Sequence, residues 1–170
     1  MRRITLYRRT VRASVTVLAL VIPCVAATGS TKTDFSGTWE MDAARSESAH
    51  SSGDNLPVTL VIKQTPTEVS IETRRSDGTE TLIYKLDGSE SKRPAQQNGP
   101  IEWRARWQGS KLVTETHRAV NLATVTIEET FTLDPKAQEI TVDRTLTVQH
   151  GYTGGAKNNS SGKYVFINAR

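Results

Sequence analysis

A single cysteine, Cys24, stands in 170 residues. That excludes a disulfide framework and any zinc site built on several thiolates. Histidine is nearly as scarce, and His50, His117 and His150 have no metal-ligand spacing with one another or with a carboxylate. No Gly-x-Ser-x-Gly elbow is present, and Gly151-Tyr-Thr-Gly-Gly155 lacks the lysine and the strand-to-helix setting of a phosphate loop. No catalytic residue, no metal site and no cofactor is therefore expected. Long apolar runs are missing too. The longest, Val15 to Ala27, has thirteen residues, too few to span a bilayer as a helix.

Acidic residues are absent from the first twelve positions, which hold Arg2, Arg3, Arg8, Arg9 and Arg12. A charged opening, a short apolar stretch and the small residues after it are the parts of a secretory signal. Residues 1–27 read as that signal, with cleavage after Ala26, Ala27 or Gly29, and residues 28–34 as a linker; the other reading is an uncleaved anchor. The pair Arg8-Arg9 is followed by Thr10-Val11-Arg12 instead of the apolar pair of a twin-arginine signal. Pro23 stands where a lipoprotein signal wants Gly, Ala or Ser before Cys24. The chain is expected outside the cytoplasm, periplasmic or extracellular, with no membrane span once the signal is removed. The whole chain carries 22 basic and 18 acidic residues; without the five leader arginines the balance is 17 to 18. So even a charge does not suit a nucleic-acid partner.

What is present, from Phe35 onward, is alternation. Leu60 and Ile62, Val69 and Ile71, and Leu82, Tyr84 and Leu86 each share one parity, as do Val125, Ile127, Phe131 and Leu133. Ile101-Glu-Trp-Arg-Ala-Arg-Trp107 puts apolar residues at every odd position and charge at every even one. Period-two patterning with abundant Thr and Val describes strands that are apolar on one face only. About nine are expected. Turns at Thr65-Pro66, Asp77-Gly78 and Gln108-Gly109 would pair Ile62 with Val69, Thr73 with Leu82 and Ala105 with Leu112, each keeping the apolar faces together. Three stretches read as long loops: Asp42 to Asn55, with a helical turn near Ala43, Asp87 to Pro100, and Gln149 to Gly162. Residues 35–170 thus read as one all-β domain, an up-and-down antiparallel β-barrel that closes to remove its edges. A flattened sandwich is the alternative.

Phe35-Ser-Gly-Thr-Trp-Glu-Met41 resembles the opening strand of the calycin superfamily, the lipocalins and fatty-acid-binding proteins. Those chains begin with Gly-x-Trp, here Gly37-Thr38-Trp39, and the fatty-acid-binding branch often reads Phe-x-Gly-Thr-Trp. The chain is also similar to uncharacterised exported bacterial proteins that pair this opening with Tyr-x-Leu-Asp-Gly, here Tyr84 to Gly88. The resemblance implies a barrel with a ligand in its interior. It departs from the fatty-acid-binding branch at the last strand, where Lys163-Tyr-Val165 replaces Arg-x-Tyr, and at 42–55, which is too polar for a two-helix lid. Some barrels of this shape bind haem through one late histidine, which keeps His150 in view.

Two charges break the inward parity. Glu129 falls between Ile127 and Phe131, and Arg144 between Val142 and Leu146. A four-residue turn after Asp134 puts them directly opposite each other; a two-residue turn makes them diagonal. They form either a structural ion pair or an anchor in which Arg144 holds an acidic head group. Trp39, Trp103 and Trp107 face inward with Tyr84, as core filler or as a cavity wall, and Thr114 and Thr116 make that interior partly polar. The candidate cavity is therefore Trp39, Tyr84, Trp103, Trp107, Thr114, Thr116, Glu129 and Arg144. The expected function is binding of a small apolar or amphipathic molecule without catalysis. The alternative is a packed barrel that acts through its surface as an envelope structural or protein-binding module.

Overall fold

The structure, a computed structural model, describes residues 32–48, 56–96, 99–120, 122–151 and 155–169; the side chains of 94–96, 99 and 100 are not described. The expected signal and most of the linker, Cys24 included, lie outside these residues, as does His50. Among the described residues no helix is long and apolar enough to cross a membrane.

Ten strands follow one another: β1 (Gly37–Met41), β2 (Thr59–Gln64), β3 (Glu68–Arg75), β4 (Gly78–Lys85), β5 (Ser91–Gln96), β6 (Gly99–Gln108), β7 (Lys111–Val120), β8 (Ala123–Leu133), β9 (Glu139–His150) and β10 (Lys157–Asn168). A single turn of 3-10 helix, Ala43–Arg45, follows β1 and is capped by the Asp42 carboxylate, which accepts from Ala44 N–H at 3.1 Å. Every ladder is antiparallel, and the sheet runs β4-β3-β2-β1-β10-β9-β8-β7-β6-β5. The last strand returns to the first, so the meander curls into a single nearly closed antiparallel barrel. Alternation then sorts the side chains. Phe35, Trp39, Ile62, Val69, Tyr84, Leu112, Phe131, Ile140, Val142 and Phe166 are buried in one shared core. Phe35 and Trp39 lock the first strand onto it, with the Trp39 indole donating to the Phe35 carbonyl at 3.1 Å.

The expected faces hold, but three expected registers move by two residues. Ile62 pairs with Ile71 and Thr73 with Glu80, while Ala105 pairs with Thr114. A shift of two leaves parity intact, which is why the faces survive. The turns are what differ. Thr65 N–H donates to the Glu68 carbonyl, making a wider loop than Thr65-Pro66 alone. The β3–β4 turn is Ser76-Asp77, and Gly78 opens β4 at φ +150°, a conformation that disfavours a side chain. The β6–β7 turn is Gly109-Ser110, with Gly109 at φ +62°.

There are ten strands because the stretch after Asp87 is not all loop. Ser91–Gln96 pairs with β6 despite carrying no alternation, and its register breaks between Arg93 and Gln96. Likewise the glycine-rich stretch after Gln149 is mostly strand: β9 runs to His150 and β10 begins at Lys157. Val58 shares parity with Leu60 yet is 54% exposed, because it lies before β2 begins.

Outward positions carry paired charges. Arg104 donates to Glu115 at 2.7 Å, Arg106 to Glu128 at 3.1 Å and Lys92 to Glu102 at 2.8 Å. Trp39→Ala is expected to cost about 3–5 kcal/mol in urea unfolding, since a fully buried ring is lost. Arg104→Ala should cost about 0.5 kcal/mol or less. The opposite order of losses would mean that the apolar face is not the structural one.

Candidate functional site

Rungs across neighbouring strands show how the interior is graded. Toward one end a rung reads Trp107, Leu112, Phe131, Val142 and Tyr164 along β6 to β10; the next reads Ala105, Thr114, Glu129, Arg144 and Gly162. Above it come Trp103, Thr116, Ile127, Leu146 and Ser160, then Ile101, Arg118, Val125, Val148 and Asn158. The first rung is closed by aromatics. Phe35 stacks on Trp107 at 6.1 Å and meets Phe131 edge-on at 6.4 Å, and the Lys32 ammonium lies 5.7 Å from the Trp107 ring centre.

The second rung is where polarity enters. Its outer members, Ala105 and Gly162, are small; Gly162 leaves Arg144 without a side chain beside it on β10, and Thr114 stands between Ala105 and Glu129. Their strands are held in register by Asp134. Its carboxylate accepts from the backbone N–H groups of Glu139, Gln138 and Lys136, and those bonds hold the carboxyl below its ordinary range. The four-residue turn that results sets Glu129 directly opposite Arg144.

The contact between them is loose. Arg144 Nε lies 3.7 Å from Glu129 Oε1, beyond hydrogen-bond distance, and it is a buried nitrogen with no hydrogen-bond partner. The two side chains are 16% and 26% exposed, so this is a half-desolvated pair, not the sealed one that parity alone suggests. Among the described residues, Trp107 Nε1 is a second buried donor without a partner. Thr114 is 1% exposed and Thr116 6%. The Tyr84 hydroxyl sits 3.4 Å from Thr116 Oγ1, reaching from β4 to β7 across the interior. Burial, with the Glu129 charge adding to it, pushes the Tyr84 phenol up to about 12.

Of the expected cavity residues, the structure places Tyr84, Thr114, Thr116, Glu129 and Arg144 on adjoining rungs, with Trp103 beside them. Trp39 and Trp107 belong to the aromatic end. Trp103 is only partly buried and donates its indole N–H to the Ile83 carbonyl at 2.8 Å.

Four charged residues complete the site, and the sequence reading passes over all of them. Glu80 binds Arg118 through a short charge-assisted hydrogen bond and Arg93 at 3.3 Å. Arg75 makes no ion pair among the described residues. Burial, reinforced by the like charge of Arg144, lowers its pKa. Inward parity was available for Glu80, which precedes Leu82 and Tyr84, and for Arg118, which follows Thr114 and Thr116. The upper half of the interior thus gathers Arg75, Arg93, Arg118 and Arg144 against Glu80 and Glu129. Cationic charge is in excess there.

His117 points outward, its two ring nitrogens 2.6 Å from Glu115 and 3.1 Å from Thr126. His150 lies at the end of β9, 3.4 Å from Asn158. No group of three or more metal-ligating side chains occurs among the described residues. A depression of about 380 Å³ on the outer face is lined by Gly88, Arg104, Ala105, Arg106, Glu115 and Glu128. Its charges already satisfy one another. At Glu115 burial works to raise the carboxyl, but Arg104 and His117 overcome it and leave it below its ordinary range.

No family model matches the chain, and no curated protein sequence is significantly similar to it. Solved structures do resemble it. A secretary abundant heat soluble (SAHS) protein from Ramazzottius varieornatus superposes with a TM-score of 0.53 at 14% identity, over 79% of this chain and 94% of that one. The REP1-NXSQ fatty acid transporter gives a TM-score of 0.51 at 13% identity, over 80% and 96%. The fold is calycin-like. At such identities the likeness concerns the fold alone.

Two measurements test this geometry. In urea unfolding, Glu129→Gln and Arg144→Met should each cost about 1 kcal/mol, and the double variant should cost less than their sum. Additive losses would mean that the side chains do not interact. Tyr84 keeps its proton in the fold to about pH 12, whereas in the unfolded chain it ionises near a phenol's ordinary value of 10.0. The unfolded state therefore binds fewer protons across that window, so Tyr84's contribution is full below about pH 10 and is lost as pH rises toward 12. Tyr84→Phe should lessen the loss of stability over the same interval; an unchanged slope would mean that the phenol is not desolvated.

Proposed function

We propose that the barrel binds a small amphipathic molecule in its interior, without catalysing a reaction on it. Its apolar part lies between the strands above the Phe35, Trp107 and Phe131 cluster, and its acidic or polar head reaches Arg144. The observation that carries this reading is the buried Arg144 Nε with no acceptor. Buried donors are almost always satisfied, and leaving one unmet is costly, so an acceptor brought by a ligand fits the gap. The surplus of arginine in the upper half favours an anionic head, and the neighbouring Thr114, Thr116 and Tyr84 hydroxyls can share it. The transporter-like fold agrees with such a role.

A packed barrel acting through its surface is the second reading. It draws support from Trp39, Phe35, Phe131, Phe166, Leu112 and Ile140, all among the largest fully buried side chains. We also assign the protein to an exported, periplasmic or extracellular location, on the strength of its arginine-rich opening and the thirteen apolar residues behind it.

Native mass spectrometry of protein purified from its own host should show a co-purifying small molecule. Titration with dansyl-labelled undecanoic acid supplies the residue-level check. Arg144→Met should weaken binding at least about tenfold, which corresponds to about 1.4 kcal/mol. Binding unchanged in Arg144→Met, with nothing co-purifying, would favour the packed barrel.

A further inference from the structure

The barrel is closed by hydrogen-bonded ladders everywhere except between β4 and β5, which stand at the two ends of the sheet order. The chain makes this gap for a local reason. Pro94 lies within β5, and proline has no N–H to give a second neighbour, so it is confined to edge strands. β5 is also thinly attached on its other side. Its register with β6 runs from Ser91↔Trp103 to Arg93↔Ile101 and then slips. By contrast, β4 is paired with β3 along its whole length, from Glu68↔Lys85 to Arg75↔Gly78.

Among the described residues, side-chain bonds bridge the gap and no backbone ladder does. The Trp103 indole of β6 donates to the Ile83 carbonyl of β4, and Glu80 of β4 takes Arg93 of β5 and Arg118 of β7. Ile83 is 50% exposed and the Arg93 side chain 41%, so water reaches both bridges. Directly behind them lie Tyr84, Trp103 and Thr116. Parting any other pair of strands breaks a ladder of backbone hydrogen bonds. Parting β4 from β5 breaks one indole bond and a carboxylate shared by two arginines, which solvent and salt can replace. The aromatic end offers no such path, because Phe35, Trp39 and Phe131 are fully packed there.

We propose that the seam between β4 and β5 is the route by which a ligand enters and leaves the interior, with Glu80 as its latch and the Trp103–Ile83 bond as a second fastening. This rests on the interior-binding reading. It adds a lateral passage whose resistance is set by ion pairs and not by backbone ladders.

The test uses dansyl-labelled undecanoic acid on the purified full chain, with dissociation followed by stopped flow. Glu80→Gln should speed dissociation at least about fivefold, and Trp103→Phe should speed it as well. Raising sodium chloride should accelerate dissociation from the wild type more than from Glu80→Gln. A merely electrostatic Glu80 would act in the opposite direction, since the freed Arg93 and Arg118 would hold an anionic probe longer. Amide hydrogen exchange gives a readout independent of the probe: in Glu80→Gln, β4 and β5 should exchange faster while β8 and β9 do not change. Slower or unaltered dissociation in both variants, or exchange unaltered at the seam, overturns the proposal and leaves interior binding standing. A wild-type protein that does not bind the probe at all overturns the interior reading, and the passage with it.

Discussion

The ladder between β1 and β10 joins the first strand to the last, with Trp39 opposite Asn168 and Met41 opposite Phe166. Without it the strands would fall into two separate sheets, β1 to β4 and β5 to β10, because no ladder joins β4 to β5. With it, every inward position of every strand shares one interior, and the identity of each inward residue becomes a statement about that interior. Phe35 and Trp39 matter for the same reason. They fill the closed end and fix the strand on which the last one lands.

An interior built this way is a stack of rungs, and the stack has a direction. Aromatics and aliphatics fill one end, hydroxyls and a loosely matched ion pair follow, and arginines outnumber carboxylates above them. A packed core needs none of this polarity, because hydrophobic residues of similar volume would hold the strands at no desolvation cost. The grading suits a guest with an apolar body and a charged head. Gly162, on β10 beside Arg144, leaves space there that any larger side chain would fill.

The faces of the strands were legible because parity is a property of the sequence itself. Glu129 and Arg144 stood out as charges among Ile, Val, Leu and Phe, and the Asp134 turn set their register without help from distant residues. The other turns were less legible. Whether Asp77-Gly78 or Ser76-Asp77 makes the bend depends on a few backbone angles, and an error of two residues leaves the pattern unchanged. β5 was hidden altogether, since Ser91-Lys-Arg-Pro-Ala-Gln has neither alternation nor β-branched residues and owes its strand to β6. Arg75 and Glu80 were masked differently: they flank a hairpin turn, where charge is ordinarily solvent-facing, and only barrel closure carries them over the interior.

An unpaired strand edge offers its free N–H and C=O groups to any other extended chain, a second copy of the same protein included. Two such edges face each other here across a narrow gap. β5 carries a proline that refuses a backbone partner, with Lys92 and Arg93 before it, and β4 turns Glu80 toward Arg93. The residues that leave the barrel unfinished are thus the ones that keep its edges from being completed by a neighbour. Selection for a protein that stays monomeric at high concentration would retain Pro94 and Glu80 whether or not any molecule ever passed between them.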